Sequence, residues 1–457
     1  MVKVKDSMGE MKVPKSAYYG ASTQRAVENF PVSGYIIPER ILRALALIKQ
    51  SSARVHNELG LLSDDLADVI SQSAQEVIDG KLLDQFPIDV FQTGSGTSTN
   101  MNMNEVIAAR ANEFLGKKRQ GRTPIHPNDH VNMGQSSNDV IPSAMHIAAR
   151  LQAGEELIPA LVALRDSLIQ KSEEFEDVIK VGRTHMQDAV PVTLGQEFSA
   201  WASQVRNGIV RIRDTFNGLE GIPLGGTAVG TGLNSHPDFG NMAAAFIAGE
   251  TKIKFRTSDN IFADMGGKDA LSSLSGALSV LSTSLIKIAS DIRFLASGPF
   301  TGIGEINLLA VQPGSSIMPG KVNPVILESV IQAAFRVIGN NVTVSMANSS
   351  GNLELNVAMP LMGYVLTESI TLLAGTSRIM SEKCVSGIEV NRDRCSQLME
   401  KSLALVTPLA QKIGYDKAAE IAKEAQKTGK SIRDIALEKQ ILEPDVLKEI
   451  LDPKKMV

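Results

Sequence analysis

Gly314-Ser-Ser-Ile-Met-Pro-Gly-Lys-Val-Asn-Pro324 sets three small polar residues, two glycines, two prolines and a lysine in eleven positions of a chain that otherwise reads as long helices. Glycine and proline impose unusual backbone angles, and N–H groups in such a loop converge readily on an anion. Lys321 adds a point charge, Asn323 a neutral amide, and Ser315 and Ser316 hydroxyls. Pro324 stands where a helix can begin, ahead of Val325-Ile-Leu-Glu328. Taken alone, a loop of this composition reads first as a tight connector, because most loops only connect. Its meaning depends on the chain to either side.

Outward from it run five long helical candidates, roughly residues 139–175, 192–220, 268–297, 324–347 and 356–381. In the third, Leu271, Leu274, Leu278, Leu281, Leu285, Ile288 and Ile292 recur at steps of three and four. Ala, Ser and Gly fill the gaps, which predicts a helix buried nearly all round. At ~1.5 Å per residue such helices run roughly 36–55 Å, lengths suited to an elongated bundle. One such bundle buries itself poorly, so pairing with further copies of the chain is expected. Residues 1–35 read as an extended arm, and helices are expected over 38–59 and over 63–78, the latter capped by Ser63. Beyond about 393 the helices become shorter and more charged, at 415–427, 431–439 and 443–451. The expectation is an all-α fold of three domains: a mostly helical 1–133, a central five-helix bundle 134–392, and a small helical 393–457.

The 457 residues exceed one compact core. Hydrophobic content is 43% but aromatic content only 4%, so the core is aliphatic. The net charge of −4 with no basic tract argues against nucleic acid. Cys384 and Cys395 have no metal-like spacing and fit a reducing compartment. No signal core, targeting leader or run of about 18 apolar residues is seen, so a cytoplasmic protein without a membrane span is expected.

Three further polar clusters lie at helix joints or ends. They are Gln92-Thr-Gly-Ser-Gly-Thr-Ser-Thr-Asn-Met-Asn-Met-Asn-Glu105, then His126-Pro-Asn-Asp-His-Val-Asn132 with Gln135-Ser-Ser-Asn-Asp139, and Gly182-Arg-Thr-His-Met-Gln-Asp188. Singly, each has a plain reading: Ser95, Thr97 and Asn100 as helix caps, His126-Pro127 as a turn, His185 as a surface histidine, Asp129 and Asp139 as caps or solvated charges. Together they supply hydroxyls, amides, lysine, arginine and histidine with few carboxylates. That inventory suits a small dianion held by Lys and neutral donors. It suits a metal poorly, with no His-x-x-x-His and no Cys-x-x-Cys. A P-loop fails because Gly314 and Gly320 enclose five residues and Val322 follows Lys321. Neither Gly94-x-Gly96 nor Gly230-x-Gly232 continues as a dinucleotide fingerprint, and no nucleophile elbow occurs.

The Gly314–Pro324 stretch resembles the signature loop of the fumarase/aspartase superfamily. Gln92-Thr-Gly-Ser-Gly-Thr97, His126-Pro-Asn-Asp129, Gly182-Arg-Thr-His185, Leu224-Gly-Gly-Thr-Ala-Val-Gly-Thr-Gly-Leu-Asn234 and Ser349-Ser-Gly-Asn-Leu-Glu-Leu-Asn356 extend the resemblance over essentially the whole chain. Within the superfamily the chain is most similar to the class II fumarases. His185 and Thr93-Gly-Ser-Gly96 separate it from the aspartases, whereas Ile88-Asp-Val90 and Ser98-Thr99 lean toward them.

The resemblance implies a fumarate hydratase of the tricarboxylic acid cycle, which reversibly hydrates fumarate to L-malate without metal or cofactor. The alternatives are an aspartate ammonia-lyase and, more remotely, an inert crystallin-like homologue. It implies Ser315 as base, His185 as acid, and Lys321 and Asn323 as the grip on the carboxylate that gathers charge. Glu328 would raise the pKa of His185 from another subunit. Ser95, Gly96, Thr97, Ser136, Ser137, Asn138, Thr184, Ser316 and Val322 would hold the substrate. His126, Pro127, Asn128 and Asp129 would form a second dicarboxylate site. The same resemblance implies a homotetramer that pools its long helices into a 20-helix core, with each active site shared between three subunits.

Overall fold

The computed structural model describes residues 1–457, and helices dominate it. By its contacts the chain divides into two compact units. One comprises 1–159, 210–282 and 335–374, the other 160–209, 283–334 and 375–457.

The five long helical stretches are present. The first is interrupted: Ser137–Gln152 passes through a widened turn, Ala153–Leu157, into Ile158–Glu174. The others are Leu194–Asp214, Asp269–Leu295, Val325–Ser349 and Met359–Lys383. In Asp269–Leu295 all seven stripe residues, Leu271 to Ile292, have no exposed surface. Ser273, Val280 and Lys287 on the opposite face are exposed. The expectation of burial nearly all round is therefore corrected for the single chain: small residues leave one face smooth and open. This helix is long and apolar enough to cross a membrane, and half of its most apolar stretch is buried in the protein.

The expected extended arm is corrected too. Val2–Asp6 pairs antiparallel with Gly9–Val13, and Ala21–Asn29 is a helix. The helix start is held from afar. Glu105 accepts the N–H groups of Gly20 (2.8 Å), Ser22 (3.0 Å) and Thr23 (3.1 Å) and the Thr23 hydroxyl (2.7 Å). A carboxylate there satisfies orphan donors and complements the helix dipole. Ser63 does stand at the cap position of Asp64–Ile78, but its side chain makes no capping bond. Asp64 and Asp65 in the first turn face the dipole instead.

The joint at 179–193 is not helical but a hairpin, Ile179–Thr184 against Gln187–Thr193. Val181, Val190, Val192 and Thr193 favour the extended chain, and Gly182 and Pro191 oppose a helix. In the same unit the C-terminal helices close an apolar cluster of Met399, Leu405, Leu409, Ile421, Ile432, Ile435, Leu447 and Leu451, to which Val181 of the hairpin contributes. Leu409 is completely buried there. Leu409→Ala is expected to cost about 2–5 kcal/mol by loss of transfer energy plus a cavity, read as a lower urea midpoint. An unchanged midpoint would show that this cluster does not limit stability.

Candidate active site

In the unit that contains 283–334, the Gly314–Pro324 loop closes on itself. Gly314 N–H donates to Lys321 O (2.8 Å), and one N–H of the Asn323 amide donates to Gly314 O (2.7 Å). A Cβ at position 314 would run into the carbonyl of Lys321 and the nitrogen of Asn323, so only glycine permits the closure. Gly320 turns the chain at φ +81°. Inside this ring the N–H groups of Ile317 (3.2 Å) and Met318 (3.1 Å) both donate to Ser315 Oγ. Ser316, Lys321 and Val322 are exposed beside it. Arg293, Ser297, Asn307, Lys321 and Asn323 line an adjoining cavity of about 680 Å³. Val325–Ser349 starts directly after Pro324, and Glu328 in its first turn lies 3.9 Å from Arg293, a loose and half-exposed ion pair.

His185 occupies the tip of the 179–193 hairpin and is exposed there with Thr184. Thr184 pairs with Gln187, leaving His185 (φ 55°) and Met186 (φ 61°) as a two-residue turn. Both are left-handed, the geometry that matches a hairpin's twist but that glycine or asparagine normally supplies. Two bulky residues there store strain of about 1–2 kcal/mol each. Under the tip, buried Lys180 donates to Glu197 (2.9 Å) and lies 3.2 Å from Glu305, while Arg183 grips Glu305 through both guanidinium arms (2.9 and 3.0 Å).

The unit that contains 1–159 brings the 92–105, 126–139 and 224–234 segments together. Gly96 (φ 72°) opens Thr97–Phe114, and the Ser95 and Thr97 hydroxyls share a hydrogen bond (2.9 Å). Asn100 donates to Ser137 Oγ (3.0 Å) and Asn132 Oδ1 (3.2 Å). Ser136 caps Ser137–Gln152 in a reciprocal box with Asp139. Asp139 is fully buried, so its reading as a solvated charge is corrected and its reading as a cap stands. Its other oxygen accepts the N–H groups of Gly225 (3.1 Å) and Thr227 (2.9 Å), and the Asn138 amide donates to Ala228 O (2.8 Å). The Gly-rich segment is thus pinned against the cap. His126 Nδ1 accepts the N–H groups of Asn128 and Asp129 (both 3.2 Å) at the start of a π-turn, Pro127–Val131. Burial, with Arg122 adding to it, holds this imidazole below its usual pKa. Lys3, Lys5, Arg119, Arg122, His126 and Asn128 line a cavity of about 830 Å³.

Sequence reasoning missed Lys49, Lys180, Glu197 and Glu305. The available signal was a charge set among apolar residues, as in Ile41-Leu-Arg-Ala-Leu-Ala-Leu-Ile-Lys49. Lys49 is completely buried and donates to Asn132 Oδ1 and Gln135 Oε1, both at 2.9 Å. Burial lowers its pKa from 10.5 to about 7, against the pull of Asp139, whose own pKa burial raises to about 6. Between pH 7 and 10.5 the unfolded chain therefore binds a proton at Lys49 that the folded chain has shed, so this group makes stability rise with pH in that window. Lys49→Met is expected to remove that rise relative to the parent protein in urea melts. Parallel stability–pH curves over the window would refute it.

The profile of a family described as "Lyase" matches residues 9–339, and that of "Fumarase C C-terminus" matches 405–457. The chain is 48% identical over 452 residues to a class II fumarate hydratase of Neisseria meningitidis, covering 99% of this chain and 98% of that protein. It is 47% identical over 454 residues to that of Thermus thermophilus, covering 99% and 97%. A crystal structure of class II fumarase from Schistosoma mansoni superposes with a TM-score of 0.96 at 40% identity, covering 100% and 98%. A fumarate lyase:delta crystallin structure from Brucella melitensis gives 0.93 at 43%, covering 99% and 100%. With the loop, the histidine hairpin and the capped serine pair all in place along a full-length match, the chain belongs to the class II fumarate hydratases.

Proposed function

We propose that the chain interconverts fumarate and L-malate with Ser315 as the base, and that the two N–H groups on its Oγ carry this role. The difficult step removes a proton from carbon beside one carboxylate of malate. The electron pair left behind spreads into that carboxylate, giving an aci-carboxylate dianion. The C–O bond on the neighbouring carbon then breaks, and the departing hydroxyl leaves as water with a proton from His185. Fumarate remains, and hydration is the reverse.

A serine hydroxyl is far too weak an acid to serve as a base unaided. Preorganised N–H donors stabilise the charged oxygen without any rearrangement during the reaction, each worth roughly 10²–10³ in rate in comparable sites. Ile317 and Met318 offer such donors to Ser315 Oγ at 3.2 and 3.1 Å. Lys321 and Asn323 hold the carboxylate that gathers charge. Ser95, Thr97, Ser136, Ser137, Asn138, Thr184 and Ser316 hold the remaining oxygens, and His126, Asn128 and Asp129 belong to a second dicarboxylate site. The steps as written draw on protein groups alone, and chelator treatment is expected to leave the rate unchanged.

The oligomer in this reading is a homotetramer with each site drawn from three subunits. Its support is apolar surface left open on the single chain. Phe335 (59% exposed), Val342 (60%) and Met346 (68%) form one stripe of Val325–Ser349, and Ile317 and Met186 stand exposed beside Ser315 and His185. Copies of the same helix are the natural cover for such a stripe. Glu328 then faces His185 of a neighbour as its carboxylate partner. The buried thiols Cys384 and Cys395 fit a reducing cytoplasm, and the tricarboxylic acid cycle is the corresponding pathway.

Ser315→Ala is expected to lower kcat for malate by about 10²–10⁴-fold, followed by ultraviolet absorbance of fumarate. Retention of the parent rate would remove Ser315 as base. Aspartate offered in place of malate is expected to give no fumarate, and turnover of aspartate alone would overturn the substrate assignment. Mixed tetramers of Ser315→Ala and His185→Asn chains are expected to regain activity at hybrid sites. If such tetramers assemble and stay inactive, the shared-site reading fails.

A further inference from the structure

The pair Arg183 and Glu305 has no part in the roles above, yet it is the most tightly held charged contact near His185. Glu305 has no exposed surface. Its Oε1 accepts from Arg183 Nη2 at 2.9 Å and its Oε2 from Arg183 Nη1 at 3.0 Å, with Lys180 Nζ 3.2 Å from Oε2. Its backbone is fixed as well: its N–H donates to Leu295 O (3.0 Å), and its carbonyl accepts from Asn391 N–H (2.9 Å). Lys180 in turn donates to Glu197 (2.9 Å) and Val181 O (3.0 Å), so two cations and two carboxylates balance each other, with Lys180 and Glu305 buried and Arg183 and Glu197 partly exposed.

A largely buried ionic set of this kind contributes little net stability over an apolar replacement. What it supplies is position. Arg183 lies two residues before the left-handed turn His185–Met186, and the strand register slips between Val181 and Arg183. Left-handed backbone at bulky residues persists only where the surroundings over-determine it. A planar guanidinium bound through two parallel N–H···O bonds fixes orientation as well as distance, which an ammonium does not. Nine residues beyond Glu305 the chain enters the Gly314 loop, so the clamp joins the segments that carry the two proton-transfer groups.

We propose that Arg183, clamped by Glu305, is a positioning residue that sets where the His185 imidazole stands for proton transfer. The inference rests on His185 as the acid. Arg183→Lys keeps the charge and loses the fork. It is expected to lower kcat about 10–100-fold with KM within about twofold, because misplacing a reacting group by about 1 Å has effects of that size. The pH profile is expected to shift on the limb assigned to the acid. Parent kcat and pH profile in Arg183→Lys, or a raised KM with parent kcat, would overturn the proposal. The double variant Arg183→Gln/Glu305→Gln removes one charge of each sign and leaves Lys180 with Glu197. It is expected to keep its helical circular dichroism and remain slow, and parent turnover would overturn the proposal. His185→Asn separates the two levels. If it turns over at the parent rate, the assignment of the acid fails and the positioning role with it. If it is inactive while Arg183→Lys is fully active, only the positioning role fails.

Discussion

A long helix satisfies its own backbone, and that constraint decides where chemistry can occur in this protein. In Val325–Ser349 every N–H beyond the first turn is committed to a carbonyl four residues back, so the helix interior has no donor for a substrate. Free N–H groups exist only at first turns and in the joints. The polar residues follow them there. Ser315 receives two N–H groups because Gly314 and Asn323 close a ring around it. Ser136 and Asp139 organise the first turn of Ser137–Gln152 in the same way.

Joints lack the regular ladder that makes a helix rigid, so they need other anchors. Here the anchors are buried charges. Asp139 holds two N–H groups of the Gly225–Thr227 segment, Glu105 holds the start of Ala21–Asn29, and Glu305 holds Arg183 under the His185 turn. Each is a carboxylate removed from water and repaid in hydrogen bonds rather than in apolar contact. Lys49 does the same with the opposite sign, organising two amide oxygens of the 132–135 segment.

Much of this was legible before any coordinates. The seven-residue aliphatic stripe of Asp269–Leu295 and the three short terminal helices were visible because helix periodicity is written in neighbouring residues. The Ser315 loop was visible because glycine, proline and serine carry their backbone preferences with them. The hairpin at 179–193 and the anchored N-terminal arm were not. Their determinants, Glu305 for Arg183 and Glu105 for Thr23, lie 122 and 82 residues away in sequence. Lys49 escaped notice for a related reason. A lysine in an apolar helix face looks like a solvated edge until the amides of Asn132 and Gln135 are found above it.

The amino-acid sequence by itself determined the aliphatic helical class, the places where helices stop, and the inventory of hydroxyls, amides, lysine and histidine at those stops. These depend on local periodicity and on residue chemistry, which distant neighbours do not alter. Only the tertiary structure decided which oxygen faces which N–H, that His185 stands on a strained turn rather than a plain loop, and that four paired charges, Lys180 and Glu305 among them fully buried, lie beneath it. Those outcomes depend on groups far apart in the chain meeting at hydrogen-bonding distance, and no local pattern encodes such a meeting.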